Sequence, residues 1–175
     1  MNIVLIGFRG TGKSTVGRLL AKRLERDFID SDNQIESSTG KTIKSIFEDY
    51  GEEGFRKIEA DVIAKLGEED NKVISAGGGA VLREENVRNL KDNGFLVLLE
   101  ATPEIINSRI AQDKKTTQQR PSLTDKKPLD EIKHLIAERE PAYKSAADFT
   151  INTSYASCED IVNEIITIVN KTMKK

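Results

Sequence analysis

Apolar residues recur along the chain in two rhythms. The runs Ile3 to Ile6, Lys72 to Ala76 and Phe95 to Leu99 have the length and β-branched content of buried strands. Between them, apolar side chains fall three and four residues apart, the spacing of one helix face. Val16, Leu19, Leu20 and Leu24 form such a series, as do Phe55, Ile58, Val62, Ile63 and Leu66. The pattern returns at Ile105, Ile106 and Ile110, at Ile132, Leu135 and Ile136, and at Ile161, Val162, Ile165, Ile166 and Val169. Phe28 to Asp32, ending in two acidic residues, and Phe149 to Asn152 complete a set of five strands. Strands alternating with helices predict an α/β fold: an open, mostly parallel sheet covered by helices on both faces.

Local signals set the expected boundaries. Ser31 and Gln34 are spaced like a capping box for a short helix over 32–38 that Gly40 stops. A helix over 42–50 is punctuated by Gly51 and Gly54, and a longer one then runs to about Leu66, with Arg56 and Glu59 together on a neighbouring face. Gly94 closes a helix from about Arg83 to Asp92. Thr102 and Pro103 start the next, Ser157 caps the last, and the helix from about Leu129 is expected to kink or end before Pro141. Gln112 to Gln119 are eight residues without an apolar side chain, so a mobile surface lid is expected over about 112–124.

Composition narrows the function classes. A chain of 175 residues is one domain of ordinary size. Its 27 basic and 29 acidic residues are interspersed and leave a net charge of −2, which argues against a nucleic-acid or membrane-surface partner. The single cysteine, Cys158, cannot form an internal disulfide, and the N-terminus runs straight into a strand without a charged leader. The expected setting is cytoplasmic.

The chemistry centres on Gly7 to Thr15, which follows the first strand, opens the first helix and fits G-x-x-x-x-G-K-[ST]. Glycines let backbone N–H groups close around an anion, and the helix start adds its positive dipole end. Gly10, Thr11, Gly12, Lys13, Ser14 and Thr15 are therefore candidates to bind ATP, with Lys13 on the β- and γ-phosphates and Ser14 on Mg²⁺. A strand-end carboxylate should complete the Mg²⁺ site; Asp30 is preferred over Glu100, since such sites favour a strand-terminal Asp. Gly77, Gly78 and Gly79 end the third strand, and three glycines in a row suggest a backbone that a second ligand approaches closely. All these features fall at the carboxyl ends of parallel strands, where such sheets bind ligands. The residues alone thus point to Mg-ATP-dependent phosphoryl transfer onto a small acceptor.

The chain resembles the shikimate kinases along nearly its whole length. The resemblance is carried by Gly7 to Thr15, Phe28 to Asp32, Ile46-Phe47, Phe55-Arg56-Lys57-Ile58-Glu59, Ser75 to Val81, Arg120-Pro121 and Glu138 to Tyr143. It implies a nucleoside-monophosphate-kinase-like P-loop fold with strand order 2-3-1-4-5, and transfer of the γ-phosphoryl group of ATP to the 3-hydroxyl of shikimate. By the same resemblance Asp32 binds the ring hydroxyls and takes the proton, Arg56 and Arg139 clamp the carboxylate, and Glu59 orients Arg56. Gly77 to Gly79 face the ring, Arg120 reaches the phosphates from the lid, and Arg109 lies near the adenine. A monomer is the default expectation. The rivals are a related kinase with another anionic acceptor and a nucleotide-dependent switch; the chain lacks the N-K-x-D and D-x-x-G elements of GTPase switches.

Overall fold

The structure, a computed structural model, describes residues 1–112 and 128–172. Strand β1 (Asn2–Ile6) leads to helix α1 (Lys13–Leu24), β2 (Asp27–Asp30), α2 (Ser31–Thr39) and α3 (Ile43–Glu68). After β3 (Lys72–Ser75) come a 3₁₀ turn (Ala80–Leu82), α4 (Glu84–Asp92), β4 (Gly94–Glu100) and α5 (Pro103–Gln112). The described chain resumes with α6 (Pro128–Ala146), β5 (Phe149–Asn152) and α7 (Cys158–Thr172). The expected lid, with Arg120, lies outside the described residues apart from Gln112.

The five strands form one parallel sheet in the order β2-β3-β1-β4-β5. Burial on both faces explains why β1 reads as an unbroken apolar run. Ile3 and Leu5 point into a core with Val16, Leu20, Val162 and Ile165 of α1 and α7. Val4 and Ile6 point the other way, among Ile63, Leu90, Ile106, Ile132 and Tyr143 from the helices of the opposite layer. Strand alternation assigns adjacent residues of one run to two cores. The chain leaves β1 toward α1 on one face and leaves β3 toward α4 on the other. The crevice between these neighbouring strands is where an open α/β sheet accepts a ligand.

Several boundaries differ from the local signals. β2 ends at Asp30, and Asp32 lies in the first turn of α2. Asp30, not Ser31, caps that helix: its carboxylate accepts from the amides of Asp32 (3.1 Å) and Asn33 (3.4 Å). Aspartate is as good a cap as serine, and Ser31 is drawn elsewhere by a buried partner described below. The two helices expected between 42 and 66 meet at Gly51, whose φ of 67° breaks the helical path, whereas Gly54 stays within the second. α4 ends at Asp92 as expected, and Gly94 also opens β4; a Cβ there would collide with the Leu90 carbonyl oxygen in the last turn of α4. α6 continues through Pro141 to Ala146. A proline removes one N–H donor, but Tyr143 and Ala146 beyond it are buried in the core, and that packing holds the last turn in place.

Candidate active site

The P-loop wraps the end of β1. Gly7, Gly10 and Gly12 have φ of 133°, 80° and 98°, values closed to most side chains. Gly12 also serves as the N-cap of α1, so no side chain competes for the first amides of that helix. Lys13 is buried, and its Nζ donates to the carbonyls of Gly7 (2.8 Å) and Phe8 (3.0 Å), straddling the loop from within. Ser14 Oγ donates to Oδ2 of Asp30 at 2.9 Å. Two hard oxygen atoms thus stand side by side at the start of α1.

A cleft of about 780 Å³ runs along this edge of the sheet. Gly10 to Thr15 line it together with Asp30, Asp32, Gly77, Gly78 and Arg109. Its size suits a ligand such as a nucleotide. Glu100, the rival metal carboxylate, lines a separate cavity of about 220 Å³ with Phe8, Thr11 and Tyr143. Among the described residues no three His, Cys, Asp or Glu side chains cluster into a metal cage. The Ser14–Asp30 pair nevertheless fits Mg²⁺, which keeps several waters and commonly takes only one or two protein oxygens beside substrate phosphates.

In the glycine run after β3, Gly77 and Gly79 are needed for space rather than for unusual backbone angles, since none of the three residues has positive φ, and a Cβ on Gly78 would meet only ordinary contacts. A Cβ on Gly77 would lie 2.7 Å from Oδ1 of Asp32 and 3.1 Å from Oε1 of Glu59. A Cβ on Gly79 would lie 2.7 Å from Cζ of Arg56. The loop is bare at these two positions because Asp32, Glu59 and Arg56 press against it. It is held at two points: the Gly77 amide donates to the buried Oγ of Ser31 at 2.8 Å, and the buried Tyr143 hydroxyl donates to the Gly78 carbonyl.

Arg56, Gly79 and Arg139 do not line the main cleft. They join it through its two loops: Arg56 packs on Gly79, and the Arg139 guanidinium lies 5.8 Å from the ring centre of Phe8 in the P-loop. Arg56 Nη1 donates to Oε2 of Glu59 at 2.7 Å, with Glu59 fully buried. An i,i+3 pair of this kind would contribute little on the surface, but here it fixes a guanidinium in a low-dielectric setting. Arg139 has no carboxylate partner among the described residues, which leaves its planar charge available to an anion.

Arg109 is engaged by the protein itself. Its Nη1 donates to Oγ1 of Thr153 (3.1 Å) and to the Gly10 carbonyl (3.4 Å), and its Nη2 donates to the Thr153 carbonyl (2.6 Å). Cys158, half-buried, also lines the cleft, and burial followed by the neighbouring Glu159 carboxylate pushes its thiol pKa up. His134 is exposed. Ser31, Tyr143 and Thr153 are the polar residues that sequence reasoning missed. Nothing local marks a serine or threonine whose partner is dozens of residues away, whereas Tyr143 stood within the segment that carried the resemblance.

The family model described as shikimate kinase matches residues 9–170. A shikimate kinase of Symbiobacterium thermophilum is 46% identical over 166 residues, covering 95% of this chain and 94% of that protein. One from Francisella philomiragia is 48% identical over 169 residues, covering 96% and 94%. Among solved structures, the shikimate kinase of Acinetobacter baumannii in complex with shikimate superposes with a TM-score of 0.90 at 38% identity, covering 99% of this chain and 95% of that one.

Proposed function

The chain belongs to the shikimate kinase family, and we infer from that membership and from its cleft that it transfers the γ-phosphoryl group of ATP to the 3-hydroxyl of shikimate. The observation that carries this reading is the single cleft lined by the P-loop, Asp30, Asp32 and the glycine run of β3, so that phosphate-binding and acceptor-binding groups share one space.

Phosphoryl transfer passes through a loose transition state, so positioning and charge neutralisation outweigh covalent help. Lys13 and the P-loop amides supply donors to the β- and γ-phosphates. Ser14 and Asp30 would hold Mg²⁺, which when bound neutralises phosphate charge. Asp32 accepts from the attacking hydroxyl, aligning it first and taking its proton second. Arg56, oriented by Glu59, and Arg139 grip the substrate carboxylate; planar guanidinium groups pair with carboxylates bidentately and so fix the ring's orientation. Gly77 to Gly79 let the ring approach the backbone. Arg120, outside the described residues, is assigned to the phosphates, and Arg109 to the nucleotide end of the cleft.

The segment 31–66 is the acceptor-binding part of the single kinase domain, and 112–124 its lid. A monomer is proposed; among the described residues the large exposed apolar side chains, Tyr50, Leu82 and Tyr155, are scattered along the sequence. No helix among the described residues is long and apolar enough to cross a membrane. With ATP as donor, the enzyme is proposed to work in the cytoplasm.

The test is ATP consumption by the purified protein with Mg²⁺ and, in turn, shikimate, quinate, gluconate and a nucleoside monophosphate. Turnover is expected with shikimate and is lost on omitting Mg²⁺ or on Lys13→Met. Turnover with another acceptor and none with shikimate overturns the acceptor assignment while keeping the ATP site.

A further inference from the structure

A planar trans peptide points its C=O and the following N–H in opposite directions. Whatever holds a P-loop carbonyl therefore also aims the next amide. Lys13 holds the carbonyls of Gly7 and Phe8. The next tethers come from the far end of the chain. Oγ1 of Thr153, just past β5, donates to the Thr11 carbonyl at 2.9 Å and shares that proton with the Glu100 carbonyl at 3.1 Å. The same oxygen accepts from Arg109, whose guanidinium also reaches the carbonyls of Thr153 and Gly10. Thr153 is 1% exposed, and its own amide donates to the Glu100 carbonyl at 2.7 Å, so it cannot drift.

We propose that Thr153 is a positioning residue for phosphate binding, its hydroxyl locking the Thr11–Gly12 peptide so that the Gly12 amide faces away from Thr153 and into the cleft, with Arg109 bracing the Gly10 carbonyl through the same hub. Arg109 then acts on the phosphate end of the site through the P-loop backbone, in addition to any contact with the base. The inference rests on the cleft being the nucleotide site.

Valine matches threonine in shape and lacks the hydroxyl, and serine keeps it. Calorimetric titration of the whole protein with ADP and with inorganic tripolyphosphate, which has no base, reads the effect directly. Thr153→Val is expected to weaken both probes about tenfold, the scale of a buried carbonyl losing its partner, with the KM for shikimate changed less than about threefold. Thr153→Ser is expected to return both probes to within about threefold of wild type. Arg109→Lys keeps the charge but loses the fork, and is expected to weaken tripolyphosphate as well as ADP; it decides the matter if Thr153→Val fails to fold.

Wild-type affinity for both probes in Thr153→Val, an equal loss in Thr153→Ser, or an Arg109→Lys variant that loses ADP affinity alone would each overturn the proposal. A wild-type protein that binds neither probe would remove the nucleotide reading of the cleft, a failure distinct from these.

Discussion

The amide of Gly77 donates a buried 2.8 Å hydrogen bond to Oγ of Ser31, joining the glycine run after β3 to the first residue of α2, 46 positions earlier. Asp32 follows Ser31 directly, and its Oδ1 lies where a Cβ on Gly77 would intrude. The serine thus sets how closely the Asp32 carboxylate, proposed to bind the acceptor, approaches the loop. Ser31→Ala leaves a buried amide without its partner, at about 1–3 kcal/mol of stability. We expect kcat to fall by about tenfold or more while the KM for ATP holds, the scale of a general base, which is the role proposed for Asp32. Steady-state kinetics beside a denaturant titration check both; an unchanged kcat would remove Ser31 from the positioning of Asp32.

Arg56 and the fully buried Glu59 form a second such relationship, beside the site proposed for the acceptor. Arg56→Met keeps most of the stem and removes the charge. Taking one partner from a buried pair costs about 3–5 kcal/mol, and if Arg56 clamps the carboxylate as proposed, its loss should abolish saturation by shikimate. Urea unfolding and shikimate titration at fixed ATP test the two halves separately. A variant that saturates at wild-type shikimate concentrations would show that the carboxylate is held elsewhere.

Gly79→Ala separates function from stability. The new Cβ would meet the end of the Arg56 side chain and no backbone atom among its nearest neighbours, so the guanidinium gives way. Stability should fall by less than the about 3–5 kcal/mol that removing Arg56 costs, since the displaced guanidinium keeps its charge near Glu59. The KM for shikimate should rise about tenfold, with ADP affinity unchanged, as expected when a charge-assisted contact is displaced. A melting curve, an ADP titration and shikimate saturation kinetics distinguish this outcome from a general loss of fold.

Cys158 offers a pH test of the nucleotide end. Its thiol pKa is raised, by burial first and then by Glu159, so at a given pH less thiolate is present than for a free cysteine near 8.5. Only the thiolate attacks an alkylating agent. Iodoacetamide labelling should be slow at pH 8 and still rising above pH 9. Because Cys158 lines the cleft, ADP should slow it further. Labelling that ADP leaves untouched would place the nucleotide away from α7.

Strand and helix alternation, the P-loop and the doubly buried sheet were legible because each is written in neighbouring residues. A strand buried on both faces must be apolar throughout, and a phosphate loop must carry its glycines, lysine and serine within a few positions. Local signals misjudged places where two chemistries competed. Ser31 looked like a cap until a buried amide claimed it and Asp30 took over the helix. Pro141 looked like a helix end until the packing of Tyr143 and Ala146 carried α6 past it.

By itself, then, the sequence determined the α/β class, the phosphate loop and the carboxyl-edge location of the candidate site, since short-range periodicity and loop chemistry encode them. Tertiary structure alone decided which residues support that site. Thr153 reaches Thr11 across 142 positions and Tyr143 reaches Gly78 across 65, and no local pattern records such pairings. They exist because a parallel sheet brings the carboxyl ends of distant strands to one edge, where buried backbone groups must find whatever donor or acceptor the fold delivers.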